Sequence, residues 1–275
     1  MNPKALLDEY EIIPKKSLGQ NFLHDPNTLD KIVASAELSP DDTVVEVGPG
    51  TGTLTERLAE HAKRVIAIEI DERLKPILDE EIIRPYPNVW VIYQDVLTVD
   101  VAKLVYPDSY VVVANVPYYI TSAILRHLLE PAHRPRRLVL TVQQEVAERI
   151  VAKPGDLSML AVSVQFYGQA RIISRLNPAI FWPRPDVSSA VVRIDTYETP
   201  LVDVPNADAF FRMVHAGFGQ KRKQLKNAVA SGLNINGAAT TALLEQAGID
   251  PRRRAETLTL QEWAALSRAY ALPSR

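Results

Sequence analysis

The chain has 275 residues, a formal net charge of −2, 47% hydrophobic and 23% charged residues, and no cysteine. This length suits one large domain plus a smaller one, and the composition is that of a chain able to bury a core. Disulfides and thiolate metal sites are excluded, no metal site is expected, and any nucleic-acid binding has to come from local patches rather than from the whole-molecule field. No apolar run approaches the ~20 residues that span a bilayer. The first residues, MNPKALLDEYEIIPKK, lack the apolar core and cleavage site of a signal peptide. The expectation is a cytoplasmic protein without membrane contact.

In chain order, apolar runs of strand length recur: VVEV (44–47), VIAIEI (65–70), VWVIY (89–93), YVVVA (110–114), RLVLTV (137–142), AVSVQF (161–166) and AVVRI (190–194). Helix-period segments such as TLTERLAEHAK, ERLKPILDEEII and TSAILRHLLE lie between most of them. Strands alternating with helices predict an α/β fold with a mostly parallel sheet covered on both faces. After Thr196 the character changes: Pro200 and Pro205 interrupt the chain, and DAFFRMVHAGF, AATTALLEQAG and TLQEWAALSRAY read as helices. Two domains are expected, 1–200 and 201–275, with no internal repeat.

Ligands of open α/β sheets bind beyond the carboxyl ends of the strands. Here the first four strand ends are all polar. Strand one ends in Glu46 and runs into GPGTG, with Gly48, Gly50 and Gly52. Strand two ends in Glu69, followed by Asp71; strand three ends in Gln94-Asp95, and strand four in Asn115. The glycines permit a tight turn and close approach of backbone to a ligand, although a plain strand-to-helix turn would use them too. Glu69 is placed to accept both ribose hydroxyls of a nucleoside, or is a solvated strand-end acid. Asp95 is a candidate acceptor for an adenine amino group, or a cap for the VLTVD loop. The G-x-G-x-G spacing differs from the G-x-G-x-x-G of dinucleotide binders.

At the fourth strand end, the Asn115 side-chain oxygen and the Val116 carbonyl can both point at one small ligand group. Pro117 fixes the chain direction and Tyr118 presents a flat face. Two acceptors and a stacking ring suit the exocyclic amino group of a planar base; a capping Asn and a packing Tyr are the simpler alternative.

Taken together, EVGPGTG, the acidic end of strand two, QDVL and NVPY resemble the S-adenosylmethionine-dependent adenine-N6 methyltransferases. KKSLGQNFLHDPN (15–27), LTVQQEVAERIVAKPGDLSMLAVSVQFY, FWPRPDVSSAVVRI, GFGQKRKQLKN and AETLTLQEW narrow this to the ribosomal RNA adenine dimethyltransferases, from about residue 15 to the end. Val116 stands where that family more often has leucine. The resemblance implies a Rossmann-like methyltransferase domain with a small C-terminal helical domain for RNA recognition. It further implies dimethylation of two adjacent adenines in the 3′-terminal hairpin loop of 16S ribosomal RNA, within the small subunit or its precursor. The implied cofactor is S-adenosyl-L-methionine, held by Asn21, Leu23, Gly48, Gly50, Glu69, Asp95 and Asn115. From the residues alone, Gln20-Asn21 reads as a loop and Phe22-Leu23 as core. The implied catalytic set is Asn115, Tyr118 and Phe181, with Phe181 as the second stacking partner; a loop-anchoring aromatic is the alternative for Phe181.

Basic residues cluster at Lys15-Lys16, at Arg134, Arg136 and Arg137, at Lys221, Arg222, Lys223 and Lys226, and at Arg252 to Arg254. A charge run is most often a solvated face, but several on an acidic chain fit phosphate contacts. The Lys221–Lys226 group is the expected RNA-binding segment, and a monomer is expected. Three rival readings are a 23S ribosomal RNA methyltransferase of the antibiotic-resistance branch, a non-catalytic RNA-binding assembly factor, and a nicotinamide-dependent oxidoreductase. The glycine spacing opposes the last, and intact GPGTG and NVPY oppose a vestigial site.

Overall fold

The computed structural model describes residues 2–271. Its strands are β1 (Phe22–Leu23), β2 (Thr43–Val47), β3 (Arg64–Glu69), β4 (Val89–Tyr93), β5 (Tyr110–Asn115), β6 (Arg137–Gln143), β7 (Gly168–Leu176), β8 (Phe181–Trp182) and β9 (Ser189–Thr196). β1 and β8 pair in a two-stranded ribbon, and the others form one sheet in the order β4-β3-β2-β5-β6-β9-β7. β2 to β6 run parallel, and β9 joins β6 antiparallel. This is a Rossmann-like α/β architecture. β2 is buried throughout and β5 to its last residue, as continuous apolar runs covered on both faces require.

Strand order reverses at β2 and β5, which places the crevice of the sheet between their carboxyl ends. Register then aligns the polar ends. Val47 pairs with Ile68 on one side and with Ala114 on the other. Gly48, Glu69 and Asn115 therefore follow one common row, and Glu69 in turn pairs with Tyr93, just before Gln94 and Asp95.

One strand expectation is overturned. AVSVQF lies inside a helix, Met159–Tyr167, whose N-cap Ser158 accepts the Ala161 N–H at 3.2 Å. Leu160, Ala161, Val162, Val164, Phe166 and Tyr167 are all buried. A helix covered nearly all round carries no polar stripe, so its sequence cannot be told from that of a buried strand. The strand is instead the next segment, GQARIISRL, at the sheet edge, where alternating exposure dilutes the apolar signal. The segment ERLKPILDEEII is not one helix either. It breaks into a 3₁₀ turn, an α turn containing Pro76 and a π turn.

The chain forms two compact units, residues 1–147 with 169–196, and residues 148–168 with 197–275. A single division at 200 would assign 148–168 to the first. In the second unit the Met159–Tyr167 helix meets the Ala207–Phe218 helix through stacked Phe166 and Phe210 rings, 4.6 Å apart. In the first, the β6–β9 register sets Arg137 opposite Asp195, and the two pair at 2.6 Å. Arg193, 5% exposed, is held by Asp195 at 2.9 Å and by Glu37.

Candidate active site

The aligned strand ends, the glycine loop and the segment 18–23 line one cavity of about 190 Å³. Gly48 and Gly50 have φ of 70° and 60°, the left-handed region that strains other residues. A Cβ on Gly48 would meet nothing within 4 Å, so bare backbone faces the open cleft there. A Cβ on Gly50 would lie 2.9 Å from the Phe22 ring. Phe22 thus covers the loop from the β1 side.

Glu69 is 4% exposed and accepts two backbone N–H groups, from Gly50 at 3.1 Å and from Asp71 at 2.8 Å. Each carboxylate oxygen retains a lone pair for a ligand hydroxyl. Burial pushes its carboxyl up to about 7 against those two donors. Glu46, 1% exposed, is pushed to about 8, first by burial and further by the charge of Glu69. Asp95 caps its loop, its Oδ1 accepting the Leu97 N–H at 2.9 Å, and the residue also borders the cavity.

Asn115 donates Nδ2 to the Asn21 carbonyl at 2.8 Å. Among the described residues no hydrogen bond occupies its Oδ1 or the Val116 carbonyl. Tyr118 is half-buried, and its hydroxyl meets Ser189 Oγ at 2.6 Å, which fixes the ring. Burial raises its phenol above the ordinary value, with the Ser189 contact opposing, so Tyr118 is a neutral face and not a base. Tyr119, 61% exposed, also lines the cavity.

The N-terminal segment closes one side. Thr53 Oγ1 donates to the Leu23 carbonyl at 3.0 Å, Asn21 Nδ2 donates to the Gly19 carbonyl at 3.2 Å, and both Asn21 and Leu23 line the cavity. Phe181 does not line it. Its ring, 2% exposed, belongs to the core, and β8 pairs it with Leu23. In this structure it anchors the ribbon and offers no free stacking face. Ile70 and Gln20 are cavity-side residues with no site role assigned from sequence, as are Thr53, Leu54 and Tyr119. Ile70 is half exposed on the lining, and Gln20 hydrogen-bonds Asp71. The D-x-R spacing of Asp71 and Arg73 was the only available sign of an organised acid.

The basic clusters divide sharply. Lys221, Arg222 and Lys223 are exposed in a turn, Lys226 is half-buried on the Leu225–Leu233 helix, and among the described residues none of the four pairs with a carboxylate. By contrast Arg136 is held by Asp42 at 2.6 Å and Arg137 by Asp195, so these two serve the fold rather than a phosphate. Arg252 pairs with Asp250, and Arg253 with Glu262 and the Thr257 carbonyl; only Arg254 of that run is exposed without an ion pair among the described residues.

Comparison with known proteins decides the family. The model for "Ribosomal RNA adenine dimethylase" matches residues 14–272. The chain belongs to the ribosomal RNA adenine dimethylase family. It is therefore an rRNA adenine dimethyltransferase, and S-adenosylmethionine is its methyl donor. Among relatives, a "Ribosomal RNA small subunit methyltransferase A" of Dehalococcoides mccartyi is 45% identical over 98% of this chain and 92% of its own length. One of Anoxybacillus flavithermus is 45% identical over 96% and 92%. A Plasmodium falciparum dimethyladenosine transferase structure superposes with a TM-score of 0.75 at 27% identity, covering 89% of this chain and 95% of that one. The 23S rRNA methyltransferase ErmE does so at 0.70 and 28%, covering 90% and 99%.

The cavity fits an adenosyl sulfonium on its own evidence. A buried acceptor faces it at Glu69, a second acid at Asp95, open backbone at Gly48, and apolar surface at Phe22, Leu23 and Ile70. Among the described residues no helix is long and apolar enough to cross a membrane.

Proposed function

We propose that the chain dimethylates N6 of two adjacent adenines in the 3′-terminal hairpin loop of small-subunit ribosomal RNA, acting on the subunit or its precursor as a cytoplasmic monomer. The observation carrying the chemistry is the pair of vacant acceptors, Asn115 Oδ1 and the Val116 carbonyl, beside the pinned Tyr118 ring. Similarity in fold to both a dimethyladenosine transferase and a 23S enzyme does not select the RNA. The relatives at 45% identity, named for the small subunit, support the reading chosen.

Glu69 and Asp95 would hold the ribose and adenine ends of the cofactor, with Asn21, Leu23, Gly48 and Gly50 around it. S-adenosylmethionine, when bound, supplies an electrophilic methyl group. The chain's own work is to orient the acceptor base. An adenine N6 lone pair is delocalised into the ring and is a poor nucleophile. Accepting its two protons at Asn115 Oδ1 and the Val116 carbonyl favours a pyramidal nitrogen with its lone pair turned to the methyl, and fixed dipoles stabilise the charge that develops there. The held proton turns acidic once the lone pair is used and passes to water, so no strong base is needed. Tyr118 replaces stacking that the extruded base loses. Phe181 could add a second face only by leaving the core.

The test is transfer of labelled methyl from S-adenosylmethionine to purified small and large subunits lacking their modifications, with mass spectrometry of the digested RNA. Two dimethylated neighbouring adenines in small-subunit RNA are expected. A single modified adenine in 23S RNA would transfer the assignment to the resistance branch.

A further inference from the structure

Asp71 is 3% exposed and lies two residues past the ribose-binding acid, yet it does not line the cavity. Besides capping the 72–74 turn through the Arg73 N–H at 3.3 Å, it is a meeting point for further contacts. Its backbone N–H donates to Glu69 Oε1 at 2.8 Å. Arg73 grips its carboxylate with Nε at 2.8 Å and Nη2 at 2.6 Å. Gln20 Nε2 donates to Oδ2 at 2.8 Å. The Gln20 Oε1 accepts the Lys15 N–H at 2.7 Å, and Arg73 Nη1 reaches the Ile13 carbonyl at 3.1 Å. One buried carboxylate thus ties residues 13, 15 and 20 to the residue that orients Glu69. Burial alone would raise its carboxyl, but Arg73 and Gln20 outweigh that and hold it below the ordinary range.

The next residue after Gln20 is Asn21, whose carbonyl seats the Asn115 amide. The Gln20–Asp71 bond therefore fixes, in register, Glu69 at the end of β3 and the segment that closes the cavity. We infer that Asp71 is a positioning residue for cofactor binding, coupling the seating of segment 13–23 to the orientation of Glu69 through Gln20 and Arg73. This rests on the cavity being the S-adenosylmethionine site.

Removing the Gln20 link tests it. Gln20→Glu sets a second carboxylate against Asp71 and breaks the bond, leaving the Arg73 grip on Asp71 in place. The measurements are calorimetric affinity for S-adenosylhomocysteine, KM and kcat, and tryptic cleavage after Lys15 and Lys16. Gln20→Glu should weaken affinity and raise the cofactor KM about tenfold or more, with kcat at saturation within about threefold, as loss of a hydrogen bond to a charged group predicts. Tryptic cleavage should quicken. Gln20→Leu, which removes the link without adding charge, should show the same split if Gln20→Glu folds poorly. Unchanged affinity in Gln20→Glu and Gln20→Leu, or a fall in kcat without a change in KM, would overturn the inference. Failure of the parent chain to bind S-adenosylhomocysteine would instead sink the site assignment beneath it.

Discussion

The side-chain amide of Asn115 bonds the main-chain carbonyl of Asn21, 94 residues away in sequence, at 2.8 Å. The bond decides which way the amide faces. With Nδ2 committed to Asn21, Oδ1 is left as the group available to a ligand, so one residue links segment 18–23 to the end of β5 across the cavity. Asn115→Ala is expected to lower single-turnover methyl transfer about a hundredfold, the scale of removing one group aimed at developing charge. Asn115→Asp should not rescue it, because a carboxylate cannot donate to the Asn21 carbonyl. Normal turnover in either variant would refute the role.

If Glu69 holds the ribose as proposed, cofactor affinity is expected to depend on pH. With its carboxyl raised to about 7 in the free protein, ionisation grows between pH 6 and 8, and ribose hydroxyls donate to the ionised form. Affinity for S-adenosylhomocysteine should rise about tenfold across that interval. Glu69→Gln should bind more weakly, by about 1.5–3 kcal/mol, and show a flattened profile. Isothermal calorimetry at three pH values is the check, and a flat profile in the parent chain contradicts the assignment.

Glu46 bears on stability instead. Its folded value of about 8 lies above the ordinary 4.5, so its contribution is present in full below the unfolded value and is lost as pH rises through about 8. Glu46→Gln escapes that loss. Without ligand, the Tm of the variant relative to the parent should climb from pH 5 to pH 9; a constant difference would mean the acid is not buried in solution.

Tyr118 separates the ring from its anchor. Tyr118→Phe keeps the face and loses the Ser189 contact, and should reduce methyl transfer only a few-fold. Tyr118→Ala should lose most of it, as base–aromatic stacking worth about 1–3 kcal/mol predicts. Cofactor affinity should hold in both. A severe defect in the phenylalanine variant alone would mean that the hydroxyl does chemistry.

The basic residues of the second unit should separate by function. Replacing Lys221, Arg222 and Lys223 with Glu is expected to raise the KM for small subunits and to flatten its salt dependence, because fewer counterions are released. Arg253→Ala should lower the Tm by removing the Glu262 pair and should leave the salt slope unchanged. Filter binding across a salt series distinguishes the two.

The site was legible where a strand end imposed it. Glu69, Asp95 and Asn115 follow short apolar runs, so period and position alone brought them to one edge, and register did the rest. Asn21 and Leu23 could be placed only through family resemblance, since β1 is two residues long and pairs with a strand 158 positions on. The helix at 159–167 reads as a strand in sequence because burial on nearly all sides erases the polar face that separates helix from strand. In sequence, Arg136, just before β6, and Arg137, its first residue, look like their counterparts at 221–223. What divides them is the long-range placement of Asp42, Glu37 and Asp195, which local charge cannot reveal.

The linkage of Glu37, Arg193, Asp195 and Arg137 reaches into heredity. Arg193 is a buried cation whose partners come from a helix end and from its own strand. Losing either partner leaves Arg193 the other, but losing both would bury an unpaired charge, which is far worse than exchanging the whole group for apolar residues. Asp195 is in turn shared with Arg137, so changes at these distant codons constrain one another. These four positions should drift as a linked set among relatives, whatever happens to the RNA they modify.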